Sequence, residues 1–238
     1  MTTIFAYPLK NAWVIASDKL ESNQTESQRK SEDRETKPVE VVTKIKSGKR
    51  FVYGFSGPNL DIEKVEENLL SSTNKNLNYE KFCKKIKKLY GDKLFELDVE
   101  VLLIDSEEIK AYKIVINKIP NKLSKAKIKS IENGYIGSGA LKSSAKYQST
   151  SMLTNLRSIT IKNTNPKELR SLLSKTVTAM EILAKSDAQF TGHPAVYGCN
   201  ICIAMNNKIL FYDILPKNYV CKEKKESRWF NLEGLEDA

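Results

Sequence analysis

Residues 2–18, TTIFAYPLKNAWVIASD, decide the fold. Apolar and polar residues alternate on either side of a Pro8-Leu9-Lys10-Asn11 turn, so Thr2 to Tyr7 and Ala12 to Ser17 read as a β-hairpin. Thr2 therefore opens a strand, and Asp18 closes the next one. The segment has polar residues at 2 and 3 and a charge at Lys10, without the basic start, apolar middle and small-residue cleavage site of a leader. The chain is expected to begin in its mature fold.

Working outward, the composition changes after Leu20 to ESNQTESQRKSEDRETKP, which has no large apolar residue and reads as a disordered or exposed insertion at about 20–38. Val39 to Ile45 and Arg50 to Phe55 read as a second hairpin around Ser47-Gly48, ending in a turn over Gly54 to Gly57. Apolar residues at helical spacing predict helices over Asn59 to Leu70 and Tyr79 to Tyr90. Leu97 to Asp105 and Ile109 to Ile116 read as a third strand pair. A short strand from Gly134 to Ile136 runs into Gly137-Ser138-Gly139, where a helix is expected to start. The longest helix starts at Pro166, a proline suited to a first helical turn, and continues an apolar face to about Lys185. Two last strands, Ala195 to Met205 and Lys208 to Leu215, complete one domain over 1–216. A basic tail, 217–238, follows, with Trp229 and Phe230 as its only candidate anchors. This order suits antiparallel sheets covered by helical layers and not a doubly wound parallel sheet.

With 40% hydrophobic and 29% charged residues, the chain can build a core, and its apolar runs are strand-length, far short of the roughly 20 residues a spanning helix needs. No membrane partner is expected. The net charge of +10 invites nucleic acid, but the densest lysine cluster (Lys81, Lys84, Lys85, Lys87, Lys88) shares its predicted helix with Phe82, Ile86 and Leu89 and reads as a solvated face. Four cysteines without regular spacing point to a reducing compartment, taken here as the cytoplasm. Cys199 and Cys202 form a C-x-x-C in a predicted strand, where residues three apart point to opposite faces, and the single histidine, His193, completes no zinc set. No metal and no cofactor enter the reading.

A threonine hydroxyl is a weak nucleophile unless a base stands within hydrogen-bond reach, and an N-terminal threonine carries one in its own α-amine, whose reference pKa is near 8. Met1 precedes the small Thr2, so removal of the initiator methionine would expose such a terminus without a propeptide.

Thr2-Thr3-Ile4, Val14 to Asp18, Thr43-Lys44-Ile45, Val52 to Gly57 and Tyr135 to Gly139, taken in order, resemble the proteasome β-subunit family and its bacterial relative HslV. The resemblance runs from Thr2 to about Leu215. It implies that Thr2 is the nucleophile, Asp18 the acid near it and Lys44 the lysine that the acid orients, whose positive charge lowers the pKa values of hydroxyl and amine. Lys46 competes with Lys44 because the insertion makes the count from Asp18 useless. As a strand lysine facing solvent, Lys44 is expected to contribute little to stability. Ser138 matches the serine of the family's Gly-Ser-Gly turn. Asp187 and Thr191 match an acid and hydroxyl that complete the site, although Thr191 stands four residues after Asp187 where the family usually places serine at three. The oxyanion donor is expected in the Gly-rich stretch of Gly54, Ser56 and Gly57, as a fixed backbone N–H.

The expected architecture is thus a four-layer αββα sandwich of two antiparallel sheets, of the N-terminal nucleophile hydrolase type. The expected activity is threonine endopeptidase cleavage through an acyl-enzyme on Thr2. By the same resemblance, subunits form a homomeric or mixed ring, an ATP-dependent unfoldase or other ring subunits are partners, and peptide or unfolded protein is the substrate. Two alternatives stay open: a catalytically silent, proteasome-like scaffold or interaction subunit, and an amidohydrolase of the same fold acting on a small amide.

Overall fold

The computed structural model describes residues 3–21, 40–41, 43–47, 50–56, 99–116, 126–137, 143–154, 156–161, 166–186, 191–206, 208–216, 219–220 and 229–230. Strand β1 (Thr3–Pro8) turns into β2 (Trp13–Asp18), with the Leu9 N–H donating to the Ala12 carbonyl at 2.8 Å. Asn11 pins this turn by exchanging side-chain hydrogen bonds with the backbone of Ile161, at 2.9 Å in each direction. From Thr3 to Tyr7 and throughout β2 every residue is buried. The expected alternation of apolar and polar residues does not hold here: Ile4–Tyr7 and Trp13–Ala16 are near-continuous apolar runs, because both faces of this hairpin are covered.

Sheet 1 has the order β10-β1-β2-β11-β12, with β10 spanning Gly134–Gly137, β11 Cys199–Met205 and β12 Lys208–Ile214. Sheet 2 has the order β5-β6-β7-β8-β9, from β5 (Ile45–Ser47), β6 (Phe51–Ser56), β7 (Val99–Asp105), β8 (Lys110–Ile116) and β9 (Ala126–Ile131). All pairings in both are antiparallel. Ile4, Ala6, Trp13 and Ile15 of sheet 1 meet Ile45, Val52, Leu102, Ile104 and Ala111 of sheet 2 in one core. Alternation sends Phe5, Tyr7, Val14 and Ala16 to the other face of sheet 1, against the helices α1 (Ser143–Thr154) and α2 (Pro166–Ser186). Helix α2 contributes Leu172, Leu173, Val177, Met180 and Leu183 to that second core, and it carries Glu168 in its first turn and Lys185 in its last, as the helix dipole favours.

Helices, sheet 1 and sheet 2 therefore make three described layers of an α/β sandwich. The outward face of sheet 2 is buried too, at Tyr53, Val101, Leu103 and Ile114. The helices expected over 59–70 and 79–90 lie outside the described residues. Trp13 ties the two sheets at one end by donating its indole N–H to the Ile109 carbonyl at 3.0 Å; Ile109 itself sits at φ 51°, a left-handed conformation that costs a β-branched residue strain.

Four expectations need correction. The stretch 39–45 is not one arm of a hairpin: β4 (Glu40–Val41) pairs instead with β3 (Leu20–Glu21), and only β5 pairs with β6. Leu20 accordingly belongs to a paired strand, while residues 22–39 of the insertion lie outside the described residues. Gly54 and Ser56 lie inside β6, not in a turn. A Cβ on Gly54 would come within 2.6 Å of Ile4 Cδ1, so this glycine lets the sheets approach closely. Residues 195–197 are helical, in α3 (Pro194–Tyr197): His193 Nδ1 accepts from the Ala195 N–H, Pro194 fixes the first turn, and Gly198 at φ 78° stops it. Finally, β9 was not expected; its alternating Lys127-Ile128-Lys129 is the pattern, and its lysines suit the edge of sheet 2. In the tail, β13 (Tyr219–Val220) pairs with β14 (Trp229–Phe230), and β14 lies beside α2.

Candidate functional site

Asp18, the last residue of β2, is completely buried and gathers four segments of chain. Its Oδ1 accepts from the Thr3 backbone N–H at 2.7 Å. Its Oδ2 accepts from Lys44 Nζ at 2.8 Å, from the Gly192 N–H at 3.1 Å and from the Leu20 N–H at 3.2 Å. Such a carboxylate can only accept, and these four donors use the sites available to it. Lys44 is also buried, at 6% exposure, and donates to the Leu20 carbonyl as well. The expectation of a solvent-facing Lys44 is therefore overturned: hairpin β3–β4 and the approach to β5 fold the lysine inward onto Asp18. Lys46, two residues on, is half-buried within β5 opposite Tyr53, so the partner of Asp18 is Lys44.

Thr191 reaches the same place from the segment before α3. Its hydroxyl oxygen lies 2.6 Å from the Thr3 hydroxyl oxygen, and both residues are buried. The next residue, Gly192, supplies the N–H to Asp18, and a Cβ there would meet Leu20 Cβ at 2.6 Å, so the segment lies tight against the site. On the other side of β1, Thr3 stands opposite Gly137, the first residue of the Gly137-Ser138-Gly139 stretch.

The structure thus brings Asp18 to the backbone N–H of Thr3 and Thr191 to its hydroxyl, with Lys44 on Asp18. Thr2, whose carbonyl carbon is bonded to the Thr3 nitrogen held by Asp18, lies outside the described residues, as do Ser138, Asp187 and Gly57. Gly54 and Ser56 are in β6, with Cα partners Leu102 and Glu100 in β7. Sequence reasoning missed the Leu20 and Gly192 backbone groups, which no side-chain pattern announces. It also missed a polar cluster beside the site: Lys19 Nζ pairs with Asp213 Oδ1 at 2.7 Å, and Asn200 Nδ2 donates to the same oxygen at 2.9 Å.

Cys199 and Cys202 belong to opposite cores, Cys199 on the helical side and Cys202 between the sheets. Burial pushes both thiols well above their ordinary pKa, and for Cys199 the negative charge of Asp213 adds to the effect. Among the described residues no group of three or more His, Cys, Asp or Glu is placed to hold a metal ion, and no helix is long and apolar enough to cross a membrane. No protein-family model matches the chain, and no curated protein matches it either.

Proposed function

We propose that this chain is a threonine peptidase of the proteasome-like, N-terminal nucleophile hydrolase type, with a four-layer αββα architecture and Thr2 as its nucleophile. The observation that carries the reading is the buried Asp18–Lys44 pair anchored on the Thr3 nitrogen, one bond from Thr2. A buried lysine beside the first strand has a reason to be there if it acts electrostatically on the terminus, since burying an ion pair does not by itself favour folding over an apolar packing.

In this mechanism Met1 is removed and the Thr2 amine takes the proton of its own hydroxyl. The hydroxyl oxygen attacks the scissile carbonyl, and the oxyanion forms against a backbone N–H, assigned to the Gly57 end of the Gly-rich stretch. The C–N bond then breaks. The leaving amine departs with the proton held by the Thr2 amine, and an ester remains on Thr2. Water, deprotonated by the same amine, hydrolyses that ester to a carboxylic acid and restores Thr2. The Lys44 ammonium favours the deprotonated forms of hydroxyl and amine. Thr191 holds the Thr3 hydroxyl, while Ser138 and Asp187 join the site by resemblance. Assembly into a ring, delivery of peptide or unfolded protein by an unfoldase, and a cytoplasmic setting belong to the same proposal.

A second reading, the silent scaffold, is favoured by one observation: Asp18 spends its acceptors on Thr3, Leu20, Gly192 and Lys44, so the cluster also serves as a lock between elements. Intact mass and N-terminal sequencing, followed by reaction with an epoxyketone that needs both hydroxyl and amine, separate the two. A chain beginning at Thr2 and modified there supports the peptidase; retained Met1 leaves the scaffold.

A further inference from the structure

The inner face of sheet 2 carries two charges where its alternation calls for apolar side chains. Glu100 shares a face of β7 with Leu102 and Ile104, and Lys113 shares a face of β8 with Ala111; those three apolar residues lie in the core between the sheets. Lys113 Nζ lies 2.5 Å from Glu100 Oε1, and the side chains are only 27% and 28% exposed. The pair reaches across to sheet 1. Lys113 Nζ donates to the Tyr135 carbonyl at 3.2 Å, and the Gly137 N–H donates to Glu100 Oε2 at 3.3 Å.

Both contacts fall on β10, a strand of four residues that among the described residues is paired on one side only, to β1. Tyr135 and Gly137 are alternate residues, whose backbone groups point to the same side of a strand. The ion pair therefore occupies backbone groups of β10, and it does so at the residue facing Thr3. Partly desolvating two charges carries a cost that apolar residues at 100 and 113 would not, so stability alone does not account for them.

We propose that Glu100 and Lys113 are a positioning pair: they fix the Gly137 end of β10 against β1 and so hold the N-terminal segment in register for reaction at Thr2. This rests on the threonine-nucleophile reading. Misplacing a reacting group by about 1 Å costs up to about a hundredfold in rate, so releasing one of the two contacts on β10 should be visible in reactivity.

The test follows modification of Thr2 in the full-length chain by an epoxyketone, separating the maximal labelling rate from the half-saturating concentration. Glu100→Ala should slow the maximal rate about tenfold or more, with half-saturation little changed. Glu100→Gln keeps an oxygen for the Gly137 N–H and should stay within about threefold of the wild-type rate. Lys113→Met, which keeps the stem and removes the charge, should slow labelling in the same sense as Glu100→Ala. Amide exchange at Gly137 should quicken in Glu100→Ala and stay protected in Glu100→Gln. A Glu100→Ala variant that labels at the wild-type rate, or a Glu100→Gln variant as slow as Glu100→Ala, overturns the positioning role while leaving Thr2 as nucleophile. A wild-type chain that is never labelled at Thr2 overturns the threonine reading and this inference with it.

Discussion

Asp18 and Lys44 each remove the cost of burying the other, and that interdependence makes them testable as a pair. Lys44→Met leaves a fully buried carboxylate without its cation, and Asp18→Asn leaves a buried ammonium without its anion. Each single change should destabilise the fold by about 3–5 kcal/mol in urea denaturation. Asp18→Asn combined with Lys44→Met should cost less than the sum by about 1–3 kcal/mol, because the second change removes a charge already stranded by the first. Lys46→Ala, by contrast, should stay within about 0.5 kcal/mol. Strict additivity in the cycle would show that the pair is not coupled in the folded protein. Loss of activity in Lys44→Met then has two sources, electrostatic and structural, so Lys44→Arg, which keeps the charge, is the cleaner probe of chemistry.

At the scale of elements, α2 and the pairs β1–β2 and β7–β8 were legible because each has a sustained apolar period and a punctuated end: the Pro8–Asn11 turn, the Ser106–Ile109 turn, and Pro166 at the helix start. The helical turn α3 was not, since Ala195-Val196-Tyr197 is an apolar run whose conformation is set by its caps. Gly198 is the decisive cap. It holds φ 78°, donates its N–H to the Pro194 carbonyl at 2.8 Å, and presses its Cα side against the Ile214 carbonyl. Gly198→Ala would add left-handed strain and drive a methyl group into that backbone, so a loss of roughly 2 kcal/mol or more is expected, read as a lowered midpoint in thermal unfolding. A neutral Gly198→Ala would mean that β12 can move away from this turn freely. The split of 39–45 between two sheets escaped notice for a related reason: alternation identifies a strand but does not name its partner.

For the whole molecule, the two sheets share the core of Ile4, Trp13, Ile15, Val52, Leu102 and Ile104, so neither can unfold without exposing the other. Equilibrium unfolding in urea is expected as one transition. In a Trp229→Phe variant, Trp13 is the remaining tryptophan, 5% exposed between the sheets, and its fluorescence should report the same midpoint as far-UV circular dichroism. Two separated midpoints would show that the sheets behave as independent units.

The sequence by itself determined where β1, β2, β6, β7, β8, β12 and the long helix run, that the sheets are antiparallel, that the two cysteines of the C-x-x-C face opposite ways, and that Asp18, Lys44 and Thr191 are worth watching. Those readings rest on local period, turn residues and motif order, which are properties of neighbouring residues. Only the tertiary structure decided that Lys44 rather than Lys46 meets Asp18, that the lysine is buried, that Thr191 touches Thr3, and that Glu100 and Lys113 grip β10. Each of these contacts joins segments separated by at least 22 positions in the chain, from Lys113 with Tyr135 to 188 for Thr3 with Thr191. Which long-range pair forms is set by how the sheets stack and where the chain crosses between them, and no local pattern carries that information.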